Sequence, residues 1–414
     1  MLTNMHVAGF KTLLDLPDTD LEFGLVNVFI GANGSGKSNL LEALGLLGAA
    51  ASGRVDDQEL LRRGVRPGAP SLYKTSLKNE KFRTTISLGV KAKWQGEQIT
   101  YDVSLDNPID TPRPTWQYRT EKMLRGGKQI VGRSPNGLSF SAGLEQLSSS
   151  FQNIKNDAGL AALIKTHPYL AGAPSELLEW LQNYIVFSPT APVLRGIQPD
   201  TSQNDPIGVF GGRLAEAVRE ILDLNTQMLG SMELDDVLDL LDWVDTFSIS
   251  DTSRQLVSPS VPTVRTLVRF KDRWMREGRN LLSGHDASEG ALYVLFILTL
   301  AMHPRMPRLF AVDNFDQAMH PRLARAVTRA FCTQILRAKP ERQALITTHN
   351  PLVLDGLNLR DDRIRLFAVE RDSSTGATRV YRILVQDEIL KANQEGLSLS
   401  NLWVMGRLGG VPNL

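Results

Sequence analysis

Cys332 is the only cysteine in 414 residues. No disulfide can close within the chain and no cysteine-based zinc site can form, which fits a reducing cytoplasm and leaves Cys332 to the core. Histidine is also scarce. Among only 6 histidines, no His/Glu spacing suited to a metal and no Ser/His/Asp set stands out, so zinc hydrolysis and serine-type catalysis find no support. Neither sign of charge is in excess. With 46 Lys and Arg against 45 Asp and Glu, the net charge is +1, and attraction to nucleic acid must come from local patches. Long apolar runs are missing too. Ala291 to Met302 is about a dozen residues against the roughly 20 needed to span a bilayer, and reads as a buried helix. Met1 to Leu14 carries no basic segment leading into an apolar one, so no signal peptide is expected. The expectation is a soluble, cytoplasmic protein with no membrane partner.

What is present is an alternation of strand and helix patterns. Residues 2–10 and 20–30 read as strands, the second ending in the apolar run Val26 to Ile30. Asn39 to Leu47 has helical spacing. From Thr84 to Leu105 the period is two, broken at Gln95-Gly96-Glu97, which predicts a hairpin. Pro, Gly, Ser and Asn crowd residues 106–160 and predict turns and loose surface. Residues 175–245 read as largely helical, with one stripe at Leu214, Val218, Ile221 and Leu222 and another at Leu234, Val237, Leu238, Leu241 and Val244. Val264, Thr266, Val268 and Phe270 alternate as a strand. Strands at 308–312 and 343–347 flank a helix at 322–336, and a hairpin pairs 364–369 with 379–383. This is an α/β pattern.

The chemistry begins at Gly31-Ala32-Asn33-Gly34-Ser35-Gly36-Lys37-Ser38. Glycines in this spacing let consecutive backbone N–H groups turn inward around a β-phosphate; Lys37 adds charge at the β- and γ-phosphates, and the Ser38 hydroxyl can ligate Mg²⁺. Asn39, at the start of the helix, is a further candidate to bind the nucleotide. A second turn, Ser283-Gly284-His285-Asp286-Ala287-Ser288-Glu289-Gly290, precedes the apolar helix, and free N–H groups at a helix start favour an anion. Asp313-Asn314 closes the strand at 308–312, where a P-loop enzyme holds its magnesium. His349 lies just past the strand at 343–347, within reach of a γ-phosphate.

These four signals, in this order, resemble the ABC-type ATPases of the RecF, SMC and OLD (overcoming lysogenization defect) group, and most of all the AAA domain 21 subset. The resemblance covers about residues 1–50 and 280–360. It implies an ATPase head with a mixed β N-lobe, a parallel α/β C-lobe and a partly helical insertion. The expected divisions are an N-lobe with Walker A at 1–110, a loop-rich then helical insertion at 111–261, and a C-lobe with signature, Walker B and H-loop at 262–414. It further implies ATP and Mg²⁺ as cofactors, the metal held through Ser38 and Asp313. In such proteins two copies face head to tail, so Ser288 and Gly290 of the signature loop would touch the γ-phosphate on the partner's Lys37. A Gln-loop is expected, with Gln58 as a candidate.

The chain departs from the family at Walker B, where Asp313-Asn314-Phe315-Asp316 replaces the usual Asp-Glu-Pro-Glu. An amide cannot take a proton at neutral pH, so slow hydrolysis is expected, unless Asp316 or His349 positions the water or Asn314 itself orients it well enough. About 60 residues follow His349, too few for the Toprim nuclease of OLD proteins. The resemblance therefore suggests a separate effector protein, a nuclease for example, in anti-phage defence or DNA maintenance. Direct action on DNA is the alternative, carried by Arg119, Lys122, Arg125, Lys128 and Arg133 and by Arg265, Arg269, Lys271, Arg273, Arg276 and Arg279.

Overall fold

The computed structural model describes residues 1–17, 19–141, 144, 154–165, 167–202, 204–251, 266–384 and 397–410. The chain opens with β1 (Leu2–Phe10) and β2 (Leu13–Leu16), leaves for a second sheet in β3 (Val26–Ile30), and returns as β4 (Ile86–Trp94), β5 (Glu97–Asp106), β6 (Gln117–Arg125), β7 (Lys128–Ser134) and β8 (Gly137–Phe140). These form a seven-stranded antiparallel sheet in the order β2-β1-β4-β5-β6-β7-β8. Its strands alternate. In β5, Ile99, Tyr101, Val103 and Leu105 are buried while Gln98, Thr100, Asp102 and Ser104 are half-exposed or exposed, as a sheet covered on one face requires. Gln95 and Gly96 both take positive φ, 45° and 87°, which a two-residue hairpin turn demands.

The second sheet has six strands in the order β18-β17-β3-β16-β15-β9. They are β9 (Ile185–Phe187), β15 (Leu309–Val312), β16 (Gln343–Thr348), β17 (Ile364–Arg371) and the antiparallel edge β18 (Thr378–Ile383), with β3 between β16 and β17. Every residue of β3, β15, β16 and β9 is buried, because helices cover both faces of a parallel sheet. The described helices of ten or more residues are α1 (Lys37–Ala51), α2 (Ala173–Gln182), α3 (Leu214–Leu224), α4 (Glu289–Met302) and α5 (Pro321–Arg337). Phe29, Leu309, Ala311 and Leu345 point into one core with α1 and α2. Val28, Ile30, Phe310, Val312 and Ile346 point into the other with α3, α4 and α5. The two motif-bearing helices α1 and α4 therefore lie on opposite faces of one sheet.

Gln343 ties the sheets together. Its side chain accepts from Leu2 N at 2.9 Å and donates to Leu2 O at 2.9 Å and Gly24 O at 2.7 Å. A two-strand ribbon, β10 (Met228–Leu229) with β11 (Met232–Glu233), and a three-strand sheet, β12 (Val244–Asp251), β13 (Thr266–Asp272) and β14 (Leu281–Ser283), complete the described strands.

Several sequence expectations need correction. Residues 117–140 are mostly strand, not loose surface: Tyr118, Met123, Ile130 and Val131 enter the core, while the buried charges Glu121 and Arg133 and the glycines at 126, 127 and 137 break the pattern. The other residues of that stretch fall partly outside the described residues, as do Val264 and Arg265. Val244 is not on a helical stripe. The helix Leu234–Asp239 ends, and Val244 opens β12 opposite Asp272. Within the supposedly helical 175–245, β9 joins the central sheet; three residues are too short for any period to register. No helix among the described residues is long and apolar enough to cross a membrane. Instead α4 is buried without interruption from Ala291 to Ala301.

Candidate nucleotide site

The loop between β3 and α1 has a backbone that only glycine accommodates at key points. Gly36, the residue before α1, has φ 111°, and a Cβ there would sit 2.2 Å from Thr378 Oγ1. A Cβ on Gly31 would sit 2.1 Å from Val369 O. Lys37 Nζ donates to Gly31 O at 2.8 Å and Ala32 O at 2.9 Å, closing the loop on itself. Burial pushes its ammonium below the ordinary value, while Asp313 and Asp316 pull the other way. Ser35 is buried with no hydrogen-bond partner for its hydroxyl, and Asn33 and Gly34 are exposed at the loop's tip. The arrangement is a ring of backbone groups around one cation, open to solvent.

Parallel pairing brings the ends of β15 and β16 to this loop. Ser38 Oγ donates to Asp313 Oδ2 at 2.8 Å, and Thr347 Oγ1 donates to Asp313 Oδ1 at 2.6 Å. A hydroxyl and a carboxylate oxygen at this separation are hard donors that fit Mg²⁺, which keeps several waters and takes few protein ligands. Asn314 is exposed with φ 54°, a left-handed backbone that asparagine tolerates better than most residues. Asp316 is 5% exposed and accepts from Thr348 Oγ1 at 2.6 Å. Its other oxygen lies 3.8 Å from Nε2 of exposed His349. Asp316 thus backs His349 from below, and the imidazole is the group that faces solvent.

Several contacts around the loop have no signal in the sequence. Thr378 Oγ1 donates to Ser35 O at 2.9 Å and meets Thr12 Oγ1 at 2.6 Å. Asn39 Nδ2 donates to that same Thr12 hydroxyl at 2.8 Å, so Asn39 braces the loop from behind. Glu42, buried on α1, accepts from Lys11 and from Arg66 Nε at 2.5 Å. Burial alone would raise its carboxyl; these two cations outweigh burial and hold it below the ordinary range. The C-terminal segment returns here as well. Ser400 Oγ donates to Asp355 at 2.7 Å, and a Cβ on Gly410 would lie 3.3 Å from Gly31 Cα. Gln58 sits exposed on the short helix Asp57–Arg62; the strand end beside Asp313 is Phe187, whose carbonyl accepts from Asp313 N at 2.9 Å.

Ser288 precedes α4, is exposed, and makes no side-chain capping bond. Gly290 packs on the loop after Walker B, where a Cβ would meet Ala318 O at 3.2 Å. Because α4 lies on the opposite face of the sheet from α1, this helix start belongs to a different surface from Lys37. Of the basic residues named for DNA, Arg119 pairs with Asp106, Arg125 with Glu97 and Lys271 with Asp245, and Arg133 is buried over Tyr118.

A glycine loop between a buried strand and a helix, with an aspartate from the end of a parallel strand bonded to its serine, is the geometry of a P-loop ATPase. A family model described as "AAA domain, putative AbiEii toxin, Type IV TA system" matches residues 26–134 and 212–355, more than half of the chain. The chain belongs to this AAA_21 family of P-loop ATPases. The AAA_21 chain is also 39% identical over 69 residues to the DNA replication and repair protein RecF of Halothermothrix orenii, a match spanning 16% of this chain and 18% of that protein. Among solved structures it is similar to an SmcHead bound to the C-winged helix domain of ScpA, at 15% identity and TM-score 0.48 over 94% of this chain and 99% of that one. The SMC head domain from Thermotoga maritima is similar at 13% identity and TM-score 0.44, over 93% and 99%.

Proposed function

We propose that ATP, with Mg²⁺ on Ser38 and Asp313, is held between the phosphate loop of one copy and the Ser283–Gly290 loop of a second, joining two chains head to tail. The observation that carries this reading is the placement of α1 and α4 on opposite faces of the central sheet, which leaves the exposed Ser288 free to serve another copy. Mg²⁺ supplies charge neutralisation at the β- and γ-phosphates. Lys37 binds the phosphates, and His349, backed by Asp316, orients the attacking water or the γ-phosphate. Asn314 holds water without taking its proton, so the paired state outlives many encounters and acts as a switch on a separate effector protein. The family's tie to a Type IV TA system favours a defence role exercised through such a partner, a nuclease being one class.

Light scattering with ATP and with ADP tests the pairing: the mass doubles with ATP alone, and a monomer under both conditions refutes it. Turnover is expected below the 1 to 100 per second typical of phosphoryl-transfer enzymes. Asn314→Glu is expected to raise turnover about tenfold, while the left-handed backbone there costs the variant about 1–2 kcal/mol of stability. A faster steady-state rate with a lowered melting temperature is the signature; an unchanged rate removes Asn314 from the catalytic step.

Direct binding to DNA is the second reading, favoured by one observation. Arg322, Arg325, Arg329 and Arg337 are exposed along α5, and none of the four makes an ion pair among the described residues. Affinity for duplex DNA that falls steeply with salt would favour this reading over an effector protein.

A further inference from the structure

The loop Ser283–Gly290 is tied to the rest of the chain at few points. At its start Ser283 pairs with Arg269 as the last residue of β14, and Gly284 N donates to Val268 O at 2.9 Å. Inside it, Ser283 Oγ donates to Asp286 Oδ2 at 2.8 Å, and Asp286 N and Ala287 N donate to Ser283 O at 3.0 and 2.9 Å. Asp286 and Ser288 at its tip are exposed. One side chain reaches in from elsewhere. Arg195 Nη1 donates to His285 O, and among the described residues no other side chain from outside the loop hydrogen-bonds to it.

Arg195 stands at the end of the short helix Ala191–Leu194, in the segment that leaves β9. That segment is fixed along its run. Phe187 O accepts from Asp313 N at 2.9 Å, Ser188 N donates to Val209 O at 3.0 Å, and Pro189 O accepts from the hydroxyl of Tyr293, buried on α4, at 2.7 Å. Leu194 enters the core shared with α4. The backbone that carries Arg195 is therefore set by packing, and its bond restrains the loop. Arg195 is half-buried and no carboxylate among the described residues pairs with it. Its charge strengthens the bond to the carbonyl, and its removal orphans no acid.

We propose that Arg195 is a positioning residue for the Ser283–Gly290 loop. Held at His285 O, three residues before Ser288, the loop presents the free N–H groups at the start of α4 in the direction from which a second copy's γ-phosphate arrives. The loop's own phosphate site lies on the other face of the sheet and cannot shape it, so its geometry has to be set before the encounter. A loop already ordered loses less conformational freedom on pairing. The inference rests on the head-to-tail reading above and names the side chain that makes the loop fit for it.

Hydrogen exchange on the nucleotide-free chain and light scattering with ATP test it together. Arg195→Met keeps the apolar stem and removes the donors. In it the amides of Gly284, Asp286 and Ala287 are expected to exchange about tenfold faster than in the parent, with those inside α4 unchanged, and the protein concentration needed for half-maximal pairing is expected to rise about tenfold. Arg195→Lys, which restores a cationic donor, is expected to recover both in part. Melting curves confirm that both variants fold. A parent that pairs with ATP while Arg195→Met pairs equally well would overturn the inference and leave the pairing standing. Unchanged exchange in the loop would overturn it whatever the pairing does. A parent that stays monomeric with ATP would overturn the pairing itself, and the role of Arg195 with it.

Discussion

Lys37→Ala is expected to lower affinity for ATP about 100-fold while the chain remains folded. The Lys37 ammonium already points into the loop, bonded to the Gly31 and Ala32 carbonyls, so it meets the β- and γ-phosphates with little rearrangement. Hydrogen bonds to charged groups contribute about 1.5–3 kcal/mol, and each 1.4 kcal/mol is about a factor of ten. The stability cost is small because the two lost bonds are offset by removal of a cation that burial disfavours. Binding measured by calorimetry, alongside a melting curve within a few degrees of the parent, checks both halves. Affinity within threefold of the parent would take Lys37 out of the phosphate site.

Ser288→Arg is expected to leave ATP binding by the single chain intact and to abolish pairing. The side chain of Ser288 is exposed and makes no capping bond, so an arginine there breaks no side-chain hydrogen bond within its own chain. At the start of α4 a cation opposes the helix dipole and fills the space a second copy's phosphate would occupy. The stronger test mixes two defective chains. Lys37→Ala supplies an intact signature loop and Ser288→Arg an intact phosphate loop, so an equimolar mixture regains pairing with one nucleotide per pair, although neither chain pairs alone. Light scattering and bound-nucleotide counting read the result. A mixture that stays monomeric would overturn the head-to-tail arrangement.

The phosphate loop was legible because everything it needs is contiguous: an apolar strand, glycines where φ turns positive, a lysine and a serine at the helix start. The hairpin at Gln95-Gly96 and the buried helix α4 were legible for the same reason, since period and turn chemistry act over a few neighbouring residues. The strands of residues 117–140 were hidden by the charges Glu121 and Arg133 at buried positions and by the glycines that interrupt them, and β9 by its brevity.

What the sequence determined by itself is thus the identity of each local piece, including the asparagine at position 314, an amide that cannot take a proton at neutral pH. Only the tertiary structure decided which pieces meet. Ser38 reaches Asp313 across 275 residues and Thr12 reaches Thr378 across 366, through strand order and register that no local pattern encodes. The same packing sends α1 and α4 to opposite faces of the sheet. Such contacts are made when buried faces are matched between elements distant in the chain, and their chemistry becomes visible only then.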